Sequence, residues 1–111
     1  MDVRRIVWER CGGYCEKCGL VLPPNFALHH RKLKSRGGKD SPDNLVALHH
    51  ECHNLGTDSV HLNIETNTIL GFIVHSWDEP SGVSLTLPGG AIVTLTPEGT
   101  YQIIRKAYNE W

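Results

Sequence analysis

Five of the seven histidines in this 111-residue chain, His29, His30, His49, His50 and His53, fall within 25 consecutive residues, together with Asn44 and Cys52. Imidazoles and thiols ligate divalent transition metals, and imidazole also titrates where a proton must be moved near neutral pH. Upstream, Cys15-x-x-Cys18 has the spacing of a metal knuckle. Structural zinc takes four soft or borderline ligands in a tetrahedron, usually as two pairs each closed by a tight turn. His49-x-x-Cys52 repeats the knuckle spacing, so the expected zinc set is Cys15, Cys18, His49 and Cys52. A rival set puts Cys11 in place of His49, which uses all four cysteines but draws three ligands from one short loop. Unligated buried cysteines are a further reading, and a redox dithiol is another for the Cys15/Cys18 pair. The redox motif normally opens a helix after a buried strand, whereas Cys15 follows a helix and a glycine pair. His61 and His75 stand apart and read as ordinary surface or core histidines. His50 either exchanges roles with His49 or faces solvent.

The elements that must position these groups are short. Val3, Ile6 and Val7 keep helical spacing, which predicts an amphipathic helix over 2–10, ended by Gly12-Gly13. After the break at Pro23-Pro24-Asn25, residues 26–30 can run as a strand that delivers His29 and His30 at its end. Residues 31–39 have no apolar period and include Gly37-Gly38, so they form an exposed loop carrying Arg31, Lys32, Lys34, Arg36 and Lys39. Turn chemistry at Ser41-Pro42-Asp43 precedes a second strand over 44–48, and residues 51–55 suit a helical turn stopped near Gly56. Farther on, 64–70 reads as a helix closed by Gly71. Residues 72–77, 83–87, 91–96 and 101–104 read as strands joined by Pro-Gly turns, an antiparallel meander. Residues 105–111 are a last helical turn or a loose end.

A chain of this size is one ordinary domain with a modest core, which a metal cross-link would help. No charged-then-apolar leader and no run of about 18 apolar residues is present, so a soluble, cytoplasmic chain that does not enter a membrane is expected. Four cysteines in that setting point to metal or free thiols rather than disulfides. The net charge of −1 conceals a division. Residues 1–56 carry nine Lys or Arg against six Asp or Glu, while residues 57–111 carry two against six. Charge alone fits equally a basic nucleic-acid face or two solvated faces of one domain.

Cys15-x-x-Cys18, His29-His30, Gly37-Gly38, Asn44-Leu45 and His49-x-x-Cys52-His53, in that order, resemble the HNH endonucleases. The resemblance covers about residues 11–56, with His49 standing where many members have cysteine. It implies an α+β fold: a zinc-stapled ββα-metal motif with a short N-terminal helix, followed here by the C-terminal β meander. The division expected is a nuclease domain over 1–60 and a β-rich appendage over 61–111. By the same resemblance His30 is the general base, and His29 and His53 hold a catalytic divalent ion, magnesium, manganese or another. Asn44 either ligates that ion or fixes the His30 ring. The loop cations Arg31, Lys32, Lys34, Arg36 and Lys39 would contact phosphates of DNA, most naturally a duplex. The activity implied is hydrolysis to 5′-phosphate and 3′-hydroxyl ends. Without a base-reading helix, sequence preference should be weak. Small members often occur in phage genomes, which would place the chain in the host cytoplasm. The alternative is a zinc-stapled nucleic-acid-binding module without turnover, such as a packaging accessory. The acidic appendage could supply a protein contact or self-association.

Overall fold

Asp2 starts the first helix, α1 (Val3–Cys11), by accepting the Arg5 amide on its side chain at 3.1 Å. Gly12 ends α1, and the chain enters the Cys15 knuckle, closed by an isolated bridge between Tyr14 and Val21. Strands β1 (Ala27–His30) and β2 (Leu45–Leu48) then pair antiparallel, with His29 opposite Val46 and His30 opposite Leu45. A wide helical turn, Glu51–Leu55, follows β2 directly. Next come α2 (Ile64–Ile69) and a three-stranded antiparallel sheet of β3 (Leu85–Thr86), β4 (Ile92–Leu95) and β5 (Tyr101–Arg105), with β4 central. These elements come from a computed structural model, which describes residues 2–106. No helix among the described residues is long and apolar enough to cross a membrane.

β2 is buried along its whole length, and that makes it the centre of the core. Val7 of α1, Phe26, Val60 and Phe72 join its Leu45, Val46 and Leu48 in one cluster with Leu85, Val93 and Leu95 of the meander. The two halves of the chain therefore share apolar burial. A polar tie reinforces it. The Arg10 guanidinium grips Glu16 through two bonds (2.8 and 3.1 Å), and both side chains are sequestered from water. Glu16 also accepts the Ala47 amide (2.8 Å) and the Tyr101 hydroxyl (2.6 Å). With every carboxylate oxygen engaged, the buried charge is compensated, and α1, the knuckle, β2 and β5 are fixed to one point.

One expected strand does not form. Residues 72–77 spend their backbone groups on single side chains and loops: Gly71 and Phe72 carbonyls receive the Arg31 and His29 side chains, and the Val74 amide donates to the Arg31 carbonyl. The segment is a scaffold for β1 instead of a partner in a ladder. The expectation for 105–111 meets β5 at Arg105, and residues 107–111 lie outside the described residues.

Candidate functional site

Two groups of side chains that could ligate a metal draw on the β1–β2 hairpin and the Glu51–Leu55 turn. In the first, one ligand atom each from Cys15, Cys18, His49 and Cys52 lies within 4.8 Å of all the others. A tetrahedron with zinc–sulfur bonds of about 2.3 Å spaces its corners roughly 3.8 Å apart, so the four donors are gathered closely enough for one ion. The knuckle is built by the backbone. Gly19 (φ 81°) turns the chain so that its amide reaches the Cys15 carbonyl (2.9 Å), while the Lys17 and Cys18 amides point at the Cys15 sulfur (3.4 and 3.5 Å). Burial raises the Cys15 thiol, but backbone N–H groups of Cys18, His49 and Lys17 outweigh it and bring the thiol below its ordinary range, which favours the ligating thiolate. His49 directs Nε2 at the Val21 carbonyl (2.7 Å) and Nδ1 at the Cys18 sulfur (3.2 Å). With Nε2 carrying the proton, Nδ1 would be left to offer its lone pair to a bound ion, the arrangement common at metal-binding histidines. Cys11 is outside the group; its thiol donates to the Trp8 carbonyl of its own helix at 3.3 Å. His50 is outside it too, bonded through Nε2 to the Asn25 carbonyl (2.7 Å).

The second group is His29, His53 and His61, with ring nitrogens again within 4.8 Å of one another. Nε2 of His53 and Nε2 of His61 are 3.0 Å apart, close to the separation of two imidazole nitrogens on one ion at about 2.1 Å each. His29 is buried, and its Nε2 meets the Phe72 carbonyl at 2.7 Å. Burial brings its pKa down to about 3 despite that carbonyl, with His53, His61 and His30 adding to the fall. It is therefore a neutral imidazole near pH 7, as ligation requires. Burial, His61 and His50 lower His53 in the same direction.

His61 is the residue that sequence reading set aside. Backbone bonds from the Val60 amide to Cys52 (2.9 Å) and from His61 to His53 (3.1 Å) fold the chain back on the Glu51–Leu55 turn. The Asn67 side chain, on α2, holds that return through the Asn63, Ser59 and Asp58 carbonyls. The turn-forming run Gly56-Thr57-Asp58-Ser59 was the available signal for a reversal.

Strand alternation separates the roles of the paired histidines. His29 faces inward, and His30 turns the other way, half-buried, with Nε2 on the Asp40 carboxylate at 2.6 Å. Hydrogen bonds from His30 and Lys34 hold the Asp40 carboxyl below the usual carboxylate range. Asn44 has a different partner set from the one expected. Its buried side chain accepts the Lys32 amide (2.8 Å) and donates to the Lys32 and Lys39 carbonyls (both 3.0 Å), bonding neither to His30 nor within the three-histidine group. It pinches the base of the loop. A Cβ at Gly38 would overlap the Lys32 carbonyl and crowd the Asn44 amide, so the closure requires glycine there.

The loop cations are not equivalent. Arg31, expected at the phosphate interface, is 1% exposed. Its guanidinium donates to the Gly71, Asp43, Pro80 and Val83 carbonyls (2.7–3.0 Å), which leaves it no capacity to reach a ligand. Arg31 is two residues after His29 and follows the same inward alternation; that reading is corrected to a structural role. Replacing it with alanine should destabilise the fold by at least about 3 kcal/mol, since several buried carbonyls lose their donor. Urea unfolding checks this, and an unchanged midpoint would contradict it. Lys32 is half-buried and reaches the Asp78 carbonyl (3.2 Å), whereas Lys34, Arg36 and Lys39 are exposed.

The family model described as HNH endonuclease matches residues 11–59. No curated protein and no solved structure gives a significant match to the chain.

Proposed function

We propose that the chain, whose residues 11–59 match the HNH endonuclease family model, is a metal-dependent endonuclease or nickase acting on DNA. The observation that carries the proposal is the convergence of His29, His53 and His61 beside an outward-facing His30. In this reading β1, β2 and the Glu51–Leu55 turn are the ββα-metal motif, zinc on Cys15, Cys18, His49 and Cys52 is its staple, and residues 61–111 form an appendage that also contributes His61. A divalent ion held by His29, His53 and His61 would supply positive charge to the phosphate and the departing 3′ oxygen. Three imidazoles suit manganese, nickel or zinc better than magnesium, which prefers oxygen donors.

The chain's own residues supply the proton chemistry. With Nε2 occupied by Asp40, His30 has Nδ1 free to take the proton of an attacking water. The water oxygen bonds to phosphorus as the bond from phosphorus to O3′ breaks. O3′ takes a proton from solvent, leaving a 5′-phosphate and a 3′-hydroxyl. Asn44 holds the loop that bears Asp40, and Lys34, Arg36 and Lys39 attract the strand by charge alone. Sequence preference should accordingly be weak. Neutralising Lys34 and Arg36 together is expected to reduce the slope of log affinity against log salt by about 2. Fluorescence anisotropy on a duplex oligonucleotide measures that slope, and an unaltered slope would mean the loop points away from DNA.

The function itself is tested by incubating the zinc-loaded chain with supercoiled plasmid in magnesium, manganese, nickel or EDTA. Nicked product that DNA ligase reseals without further treatment is expected with at least one ion and none with EDTA. Intact plasmid under every ion would leave a nucleic-acid-binding module in place of the enzyme.

A further inference from the structure

A cleft of about 260 Å³ opens beside the three-histidine group, and its lining combines two chemistries. His29, His30 and His61 belong to the phosphate chemistry just described, and Arg36 adds a cation. Leu33, Ile64 and Ile73 are apolar. A phosphate gains nothing from aliphatic side chains, so this part of the cleft is suited to another portion of the same substrate. His75 also lines it, and its ring is stacked on Trp77 with centroids 4.5 Å apart and planes 8° from parallel. Trp77 is 77% exposed, which leaves most of a large aromatic surface to water. The metal-ligand chemistry uses neither ring.

The groups that match an aliphatic slot, a flat aromatic stack and an adjacent cation are the bases of a nucleic acid. Paired, stacked bases of a duplex cannot enter a concave slot, and the volume falls below the roughly 300–1,000 Å³ of sites for larger ligands. A single base fits within it. We propose that this cleft is a subsite for an unpaired nucleobase: a base adjoining the phosphate at His30 inserts among Leu33, Ile64 and Ile73, and a neighbouring base stacks on the His75–Trp77 pair. The proposal rests on the nuclease reading for the position of the phosphate, and it makes a locally unpaired strand the substrate form. The 73–77 segment, which sequence reading assigned to a strand, thereby becomes part of the substrate site.

The test compares two labelled strands of equal length, oligothymidylate and a fully abasic strand, which carry the same phosphates and differ only in bases. Binding to the full, zinc-loaded chain is read by anisotropy at fixed salt without added catalytic ion, with strand integrity checked on a gel. The base-bearing strand should bind about tenfold more tightly, and Trp77→Ala should reduce that preference to roughly twofold or less. Trp77 is exposed, so the variant is expected to fold. A strand carrying 5-iodouracil should photocrosslink to the peptide containing residues 73–77. Equal affinity for the two strands would overturn the proposal, as would a preference that survives both Trp77→Ala and Ile73→Ala. Plasmid nicking is scored separately. Nicking without base preference removes the subsite and leaves the nuclease, whereas base preference without nicking supports the subsite and removes the catalysis.

Discussion

Stripping the ion from Cys15, Cys18, His49 and Cys52 should abolish the cooperative melting of the chain. The four donors come from the knuckle, the end of β2 and the Glu51–Leu55 turn, and among the described residues no helix of that region exceeds the nine residues of α1. Short helices and a two-stranded hairpin do not persist alone in water. A structural zinc contributes an apparent binding free energy of about 10–16 kcal/mol near neutral pH, comparable to the roughly 5–15 kcal/mol that stabilises a whole domain. The Arg10–Glu16–Tyr101 tie and the shared core around β2 oppose unfolding, but the tie depends on the knuckle that carries Glu16, and Cys15 of the knuckle is itself part of the core. Circular dichroism melts before and after treatment with a strong chelator, with zinc loss verified by mass, are the check. An unchanged melting temperature in verified zinc-free protein would remove the staple. His49→Cys should keep the ion, because zinc accepts four thiolates, while His49→Ala should weaken it.

The convergence of Cys15, Cys18, His49 and Cys52 was legible in the sequence because both pairs are closed by local turns, so spacing along the chain encodes spacing in three dimensions. The hairpin that carries His29 and His30, the Glu51–Leu55 turn and the meander were legible for the same reason. His61 was not: it joins His53 through a loop return whose two backbone bonds leave no periodic trace. Arg31 was misread because a buried and a solvated arginine are the same letter in a basic loop. The alternation of β1 held the clue, since inward-facing His29 and Arg31 are two residues apart and His30 and Lys32 point the other way. Residues 72–77 have the composition of a strand, yet their polar groups serve Arg31 and His29, and only tertiary context decides between those uses.

Replacing His30 with alanine should lower metal-dependent nicking by about 10²–10⁴-fold, the range contributed by a positioned general base. The loss should fall on the chemical step. His30 is outside the three-histidine group and outside the zinc quartet, so the variant should keep its zinc and its melting temperature. Its ring is half-buried at the end of β1, with Asp40, itself exposed, as its side-chain hydrogen-bond partner. Truncation therefore opens no large cavity in the core. Asp40→Asn should produce a smaller loss, because the amide oxygen can still accept from Nε2 and hold the ring in place.

The most direct measurement is single-turnover nicking of supercoiled plasmid by wild type and His30→Ala, at equal zinc content and with the ion that best supports wild type. Wild-type nicking that falls at least a hundredfold in the variant, while DNA affinity stays within about twofold, is the result expected of a general base. Equal rates for the two proteins would contradict the assignment and require that another group activate the water.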